Sequence, residues 1–135
     1  MSEAFEEIVE DFEFLDDWED RYRHVIDMGK AMEPLDESLK VDMNKVHGCA
    51  SQVWLYPQIE GDVFGFKGDS DAMIVRGLIA VLAALYNGVP VAEAAKINAV
   101  EELSRLGLQE NLSSQRSNGL KSMVERLKLL AEAAA

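Results

Sequence analysis

The chain has 135 residues, of which 48% are apolar and 28% are charged, and these proportions are typical of one folded domain rather than of a disordered chain. Its 25 acidic and 13 basic residues give a formal charge of −12, so we expect it to bind neither nucleic acid nor an anionic membrane. A single cysteine excludes an intramolecular disulfide and any cysteine-rich zinc or iron–sulfur site built by one chain.

No segment of the sequence indicates export or a membrane span. The N-terminal stretch lacks the basic region and the apolar core of a signal peptide. The most apolar segment, residues 72–86, is shorter than the roughly 20 residues that a bilayer crossing needs. We therefore expect a single domain over residues 1–135 that is located in the cytoplasm.

The first third of the chain is predicted to form two amphipathic helices that carry most of the negative charge. Residues 1–42 contain 15 acidic and 4 basic side chains. Apolar side chains from Phe5 to Phe12 recur at helical spacing, and Asp16 is the predicted N-cap of the second helix. The inner face of that helix is expected to consist of Trp18, Tyr22, Val25, Ile26 and Gly29. The carboxylates on the outer faces either are solvated or dock a basic partner.

After residue 51 the spacing of apolar residues changes to an alternating pattern, which predicts an antiparallel hairpin. Apolar and aromatic side chains alternate from Val53 to Tyr56, the Gly61-Asp62 pair interrupts the pattern, and a second β-rich run follows. Trp54 and Tyr56 share one face of the first strand, where they either form an aromatic platform or pack against neighbouring strands.

A helix start is predicted directly after the hairpin. Residues 68–71 are expected to form a turn, with Asp69 or Ser70 as the helix cap. The helix that follows is apolar nearly all round. Capping explains the carboxylates of Asp69 and Asp71 better than a metal site or an acid–base pair does.

Three or four helices are expected after the sheet. The first ends at Asn87-Gly88, one or two short helices lie between residues 90 and 106, and the last begins near Ser113 or Ser114. Two helices, a short antiparallel sheet and these further helices predict an α+β fold in two layers, with the helices packed on the sheet.

Cys49 is the residue best suited to chemistry. It stands between Gly48 and Ala50 in a predicted loop just before the first strand, where small neighbours leave a sulfur accessible. His47 and Arg116 are the candidates for stabilising its thiolate, because a free thiol titrates near pH 8.5 and needs such help at neutral pH. The alternative is a buried structural cysteine.

Three segments resemble the SufE family of cysteine desulfuration proteins. Residues 48–54, GCASQVW, are similar to the family's GCxSQVW segment, although Ala50 stands where many members carry Gln. Residues 68–80 are similar to its GDSDAxIVxGLIA stretch, and residues 116–120 are similar to its R-x-x-G-L segment. The three segments occur in the family's order over nearly the whole chain.

The resemblance implies a sulfur acceptor that works with a partner enzyme. In the family, a pyridoxal-phosphate cysteine desulfurase (SufS-like or CsdA-like) takes sulfur from L-cysteine and holds it as a persulfide. Cys49 would attack the terminal sulfur, stimulate the desulfurase, and pass the sulfur from its own persulfide to an iron–sulfur scaffold complex of the SufBCD kind. The chain itself would hold no cofactor and no metal, since the pyridoxal phosphate belongs to the partner. The implied fold is the two-layer arrangement shared with NifU-type scaffolds.

The resemblance also implies roles for the residues around the thiol. Arg116 is the first candidate for stabilising a thiolate or persulfide, and His47 is the second. The loop would rest over an apolar pocket and swing out at the Gly48 hinge when a partner docks. The supporting residues are Gly48, Ser51, Gln52, Trp54 and Asp71.

Two other functions stay open on the sequence. The chain could be a non-catalytic acidic adaptor that regulates a desulfurase or another enzyme by docking, with Cys49 as a structural residue. The other is a Cys/His hydrolase, for which the sequence offers no orienting residue or oxyanion signature.

Overall fold

Residues 3–135 are described by the computed structural model, and this part of the chain forms seven α-helices and four short strands. The helices are α1 (Glu3–Phe14), α2 (Trp18–Ala31), α3 (Met73–Tyr86), α4 (Val91–Ala94), α5 (Ala99–Ser104), α6 (Leu108–Asn111) and α7 (Ser114–Ala134). The strands are β1 (Val53–Pro57), β2 (Val63–Phe64), β3 (Phe66–Ser70) and β4 (Val89–Pro90). This arrangement confirms the predicted α+β fold. Met1 and Ser2 lie outside the described residues. They belong to the N-terminal stretch in which we found no features of a signal peptide.

The predicted hairpin is present, and its turn lies at the Gly61-Asp62 pair. Strand β1 pairs with β3 in antiparallel register, and Glu60 and Val63 exchange both backbone hydrogen bonds across the turn. Gly61 has a φ of +62°, the left-handed conformation that tight hairpin turns favour. Strand β2 also pairs with β4, which brings the chain that leaves α3 back to the hairpin.

The helix count and one helix cap differ from the prediction. Five helices follow the hairpin within residues 3–135, whereas three or four were expected, because the segment before α7 is divided into α4, α5 and α6. The N-cap of α2 is Asp17 and not Asp16, since the Asp17 carboxylate accepts a hydrogen bond from the N–H of Glu19 at 3.0 Å. Adjacent aspartates are equally suited to capping, so the backbone conformation decides between them.

Helices α2 and α3 pack with their backbones in direct contact at Gly29 and Gly77. A Cβ atom at Gly77 would lie 2.0 Å from the carbonyl oxygen of Val25, and one at Gly29 would lie 2.6 Å from the carbonyl oxygen of Met73. Neither position has room for a side chain. The two glycines therefore determine how closely α2 approaches α3.

Asp69 is buried in strand β3, where the sequence had predicted a helix cap. Helix α3 begins after Ala72 without a side-chain cap, so neither Asp69 nor Ser70 is its N-cap. The Asp69 carboxylate, in a residue that is 2% exposed, accepts hydrogen bonds from the N–H groups of Leu35 at 3.0 Å and Ser70 at 2.8 Å. It also pairs with Arg76, which donates to backbone carbonyls at the end of α2. This ion pair therefore ties α2, β3 and α3 together.

The charge of Asp69 is stabilised by its partners. Burial by itself would raise the pKa of this carboxyl, but the N–H groups of Leu35 and Ser70 and the Arg76 guanidinium outweigh burial. The pKa of Asp69 therefore lies below its usual value, and the folded protein holds the ionised form.

An Asp69→Asn variant is expected to lose about 3 kcal/mol of unfolding free energy, because the Arg76 guanidinium is left buried without its counter-charge. The pKa of Asp69 is lower in the folded than in the unfolded state. Its contribution is therefore present above the unfolded pKa of about 3.9, and it is lost as the pH falls through the folded pKa. Urea titrations from about pH 7 to about pH 2 measure the unfolding free energy of both proteins. The difference between wild type and variant should become smaller below about pH 4.

The matched control is Asp27→Asn, which removes an exposed carboxylate from α2. It is expected to change the unfolding free energy by less than about 0.5 kcal/mol. The role of Asp69 would be contradicted if both variants lost the same unfolding free energy. It would also be contradicted if the difference between wild type and Asp69→Asn stayed constant down to the lowest pH.

Helices α3 and α7 each contribute a buried apolar stripe to the core. Helix α3 is buried along most of its length, and Asn87 is its C-cap, in agreement with the predicted end at Asn87-Gly88. The predicted stripe of α7 is also confirmed, with Leu120, Met123 and Leu127 buried and Val124 and Leu130 packed against the core. Among the helices of residues 3–135, none is long and apolar enough to cross a membrane.

Candidate functional site

Cys49 lies on a short loop whose base is closed by the backbone. The N–H of Val46 donates to the carbonyl oxygen of Val53 at 2.8 Å, so the segment between them, here called the Cys49 loop (residues 47–52), starts and ends at the same edge of strand β1. Both ends of the Cys49 loop are therefore held together by the backbone at β1.

Gly48 allows the Cys49 loop to lie close to α7. Its φ is +92°, a conformation that favours glycine. A Cβ atom at this position would lie 2.7 Å from the Oγ of Ser122 on α7. A side chain here would strain the backbone and would require the Ser122 hydroxyl to move aside. The predicted role of Gly48 as a hinge stays a prediction.

The Cys49 side chain is half-buried against the backbone of α7. Its Sγ donates a hydrogen bond to the carbonyl oxygen of Gly119 at 3.6 Å. A cavity of about 10 Å³ lies beside the thiol, and this is close to the smallest space that can hold one water molecule. Its wall includes the apolar side chains of Val75, Leu78, Leu120 and Met123.

Burial raises the pKa of the Cys49 thiol, because an apolar wall solvates a thiolate poorly. A free cysteine titrates near pH 8.5, so the resting thiol is protonated at neutral pH. The Gly119 carbonyl oxygen acts in the same direction, since it accepts a hydrogen bond from the thiol and would repel a sulfur anion. In this position of the loop, the surroundings of Cys49 therefore favour the protonated thiol.

Arg116 contacts the Cys49 loop through Ser51. Its Nη1 donates to the Oγ of Ser51 at 2.8 Å, and its backbone N–H donates to the Oγ of Ser113, the N-cap of α7, at 3.2 Å. Arg116 and Ser51 both line the cavity beside Cys49. A positive charge thus lies at the edge of the cavity while the thiol hydrogen is bound to a carbonyl oxygen. The predicted stabilisation of a thiolate or persulfide by Arg116 stays a prediction.

The other predicted site residues either support the loop or lie apart from the thiol. Asp71 accepts a hydrogen bond from the N–H of Gln52 at 3.0 Å, at the C-terminal end of the Cys49 loop. His47 is exposed and lines a separate surface depression. Trp54 packs beneath Lys40, whose Nζ lies 5.5 Å from the ring centroid. Neither His47 nor Trp54 lines the cavity beside the thiol.

Gly119 is a residue of the site to which the sequence analysis gave no role, although it is the glycine of the R-x-x-G-L segment. A Cβ atom at this position would lie 3.5 Å from the Sγ of Cys49, so the absence of a side chain leaves the sulfur in contact with the helix backbone. A glycine inside a helix costs about 1 kcal/mol relative to alanine. This cost, and the place of the glycine in the R-x-x-G-L segment, were the signals available in the sequence. Neither signal tells which loop the glycine faces.

No metal site accompanies the thiol in the described part of the chain. Within residues 3–135, His, Cys, Asp and Glu side chains form no group of three or more that could hold a metal ion. Asp69 is engaged with Arg76, and Asp71 is engaged with the N–H of Gln52. The arrangement therefore does not support an acid–base or metal pair formed by these two carboxylates.

A Ser51→Ala variant is expected to react with iodoacetamide at Cys49 about five times faster than wild type. The substitution removes the hydrogen bond from Arg116, which contributes about 1 kcal/mol to the closed loop, and so raises the population of open loops. Alkylation followed by intact mass measures the rate. Ser117→Ala on α7 leaves that hydrogen bond in place and should react like wild type. Equal rates for all three proteins would show that the Arg116–Ser51 contact does not restrain the loop.

The sequence is similar to that of several known proteins. A family model described as "SufE: Fe-S metabolism associated domain" matches residues 6–131. An uncharacterized SufE-like protein of Rhizobium etli is 55% identical over 129 residues, which cover 93% of this chain and 87% of the relative. A second uncharacterized SufE-like protein, from Rhizobium meliloti, is 47% identical over 133 residues, or 96% of this chain and 95% of the relative. The sulfur acceptor protein CsdE of Escherichia coli is 39% identical over 114 residues, which cover 84% of this chain and 78% of the relative.

The fold is also found among solved structures. The solution structure of a hypothetical protein from Thermus thermophilus superimposes with a TM-score of 0.79, covering 99% of this chain and 97% of the other, at 18% sequence identity. At this level of identity the similarity shows a common fold.

Proposed function

The chain belongs to the SufE family, and from this premise we propose that it accepts sulfur as a persulfide on Cys49 from a pyridoxal-phosphate cysteine desulfurase. We further propose that it stimulates the desulfurase and delivers the sulfur to a SufBCD-like scaffold for iron–sulfur cluster assembly. The pyridoxal phosphate belongs to the desulfurase. The proposed location is the cytoplasm, where thiols stay reduced.

The observation that carries this proposal is the position of Cys49 on a closed-base loop beside a cavity of about 10 Å³. Pockets that bind small molecules are typically about 300–1,000 Å³, so this cavity has no room for a metabolite or a peptide. It can shelter a sulfur atom. The exposed position of His47 also gives no support to a Cys/His hydrolase, which needs its base beside the thiol.

Sulfur acceptance requires no net oxidation or reduction. The Cys49 thiolate attacks the terminal sulfur of the desulfurase persulfide, a new S–S bond forms on Cys49, and the old S–S bond breaks. Its electron pair leaves with the cysteine sulfur of the desulfurase as a thiolate, as in thiol–disulfide exchange. Arg116, at the edge of the cavity, is suited to stabilise the negative charge of the new persulfide.

The protonated resting state implies that docking activates the thiol. Outside the cavity, Cys49 regains solvent and loses its contact with the Gly119 carbonyl oxygen, so its pKa falls toward the ordinary value for cysteine. Opening the Cys49 loop therefore exposes and activates the nucleophile in a single movement. In the free protein the thiol stays protonated and protected from oxidants.

The proposal is tested by incubating the protein with a cysteine desulfurase and L-cysteine in the absence of reductant. Intact mass should show the gain of a sulfur atom, peptide mapping should place it on Cys49, and a thiol reductant should remove it. Binding to the desulfurase without any gain of sulfur would instead favour the acidic adaptor. Hydrogen exchange offers a second test, because amides of residues 46–51 that stay fully protected in the complex would contradict the opening of the loop.

A further inference from the structure

We infer that the cavity beside Cys49 admits one sulfane sulfur and no more, and that Gly119 sets this limit. The inference rests on the proposed function, because it concerns what the carrier can hold in its closed state. On this inference, only one sulfur atom added to Cys49 is protected from solvent. Longer polysulfide chains on Cys49 would be exposed.

The size of the cavity sets its capacity. The sulfur that is added to Cys49 lies about 2.05 Å from Sγ, the length of an S–S bond, so it overlaps the existing sulfur and needs little additional room. The free volume of about 10 Å³ is near the minimum for one water-sized particle. A second added sulfur extends the chain by another bond length, and the apolar wall of Val75, Leu78 and Met123 leaves no further space. It must therefore project toward solvent.

Charge favours one orientation of the single sulfur. The Arg116 guanidinium lies at the edge of the same cavity, whereas the Gly119 carbonyl oxygen lies against Sγ. The terminal sulfur of a persulfide carries the negative charge, so it is attracted by the guanidinium and repelled by the carbonyl oxygen. The inner sulfur then keeps its place against α7 while the terminal sulfur occupies the free volume.

Gly119 provides the free volume because it has no side chain. A Cβ atom there would lie 3.5 Å from the Sγ of Cys49 and 3.7 Å from its Cβ, which are ordinary van der Waals contacts. The thiol form therefore tolerates alanine at this position. A methyl group in contact with Sγ would take up the space of the added sulfur, because the cavity holds only about one particle of that size.

The test loads the native protein with inorganic polysulfide, which supplies sulfane sulfur without a desulfurase. A water-soluble phosphine then removes the added sulfur as phosphine sulfide and returns the thiol, and intact mass follows the adducts with one and with two added sulfurs. We expect the last sulfur to be removed at least about ten times more slowly in native protein than in urea. Any sulfur beyond it should be removed at the rate seen in urea.

Gly119→Ala is expected to bring removal of the single sulfur within about twofold of the rate in urea, with the fold retained. Asn118→Ala, an exposed neighbour on α7, is the matched control and should protect the sulfur like wild type. The inference is overturned if wild type protects two sulfurs equally, if Gly119→Ala protects as well as wild type, or if polysulfide adds no sulfur to a thiol that iodoacetamide alkylates. Normal protection after polysulfide treatment, combined with no transfer from any desulfurase, would instead overturn the proposed function alone.

Discussion

A Cys49→Ser variant is expected to bind the cysteine desulfurase and to accept no sulfur from it. A hydroxyl group does not attack a persulfide at neutral pH, because a thiolate forms far more readily than an alkoxide and is the better nucleophile. The smaller oxygen atom fits the site and can still donate to the Gly119 carbonyl oxygen, as Sγ does. The fold and the docking surface should therefore be intact while sulfur transfer falls below detection.

This prediction is tested by measuring the intact mass of the protein and the turnover of the desulfurase in the same experiment. The control is Ser51→Ala, which keeps Cys49 and should still gain sulfur. If Cys49→Ser stimulates the desulfurase as strongly as wild type does, the protein acts by docking and the acidic adaptor is the correct interpretation. A sulfur gain on the Cys49→Ser protein would move the acceptor to another group and refute the proposal.

Gly77→Ala is expected to lower the unfolding free energy by about 3 kcal/mol or more. Alanine is the better helix former, by about 1 kcal/mol, so helix propensity alone predicts the opposite sign. The added Cβ would lie 2.0 Å from the carbonyl oxygen of Val25, and a backbone atom cannot move aside as a side chain can. Helices α2 and α3 must therefore separate, which strains the core around them. Urea denaturation followed by circular dichroism measures the loss.

The same substitution at Gly119 is the matched control, since both glycines lie inside helices. The nearest atom to a Cβ at Gly119 is 3.5 Å away, so the control should be as stable as wild type or more stable. A loss of less than about 1 kcal/mol for Gly77→Ala would show that the two helices can separate at little cost. Close packing would then not explain the presence of this glycine.

The proposed function places two opposing requirements on the site. A nucleophile needs its thiolate, yet burial raises the pKa of Cys49, and the Gly119 carbonyl oxygen also favours the protonated form. Protection of the sulfur requires the protonated, buried thiol, whereas sulfur transfer requires the exposed thiolate. A loop that is restrained by weak contacts, one to Ser51 and one to the Gly119 carbonyl oxygen, can provide both states, since each contact contributes only about 1 kcal/mol.

The sequence singled out Cys49 as the candidate reactive residue and predicted only part of its surroundings. Cys49 was identified because a lone cysteine between small residues precedes a strand. Arg116 was a candidate as a cation that could stabilise the thiolate, and the resemblance to a family motif ranked it first. The structure places Arg116 on Ser51 and places His47 in solvent. Gly119 carried no chemistry of its own and was overlooked. Its importance comes from an absent side chain opposite a residue that is far away along the chain.

By itself, the sequence determined the elements that depend on local periodicity, namely the stripes of α1, α3 and α7 and the hairpin turn at Gly61-Asp62. It did not determine the position of Asp69, because an aspartate before a helix is equally suited to a cap and to a buried ion pair. Only the partners brought by α2 and α3 decide between these roles. Tertiary structure likewise decided the cavity beside Cys49 and the burial that raises the pKa of its thiol. Both depend on contacts between segments that are distant in the sequence, and hydrophobic periodicity does not record such contacts.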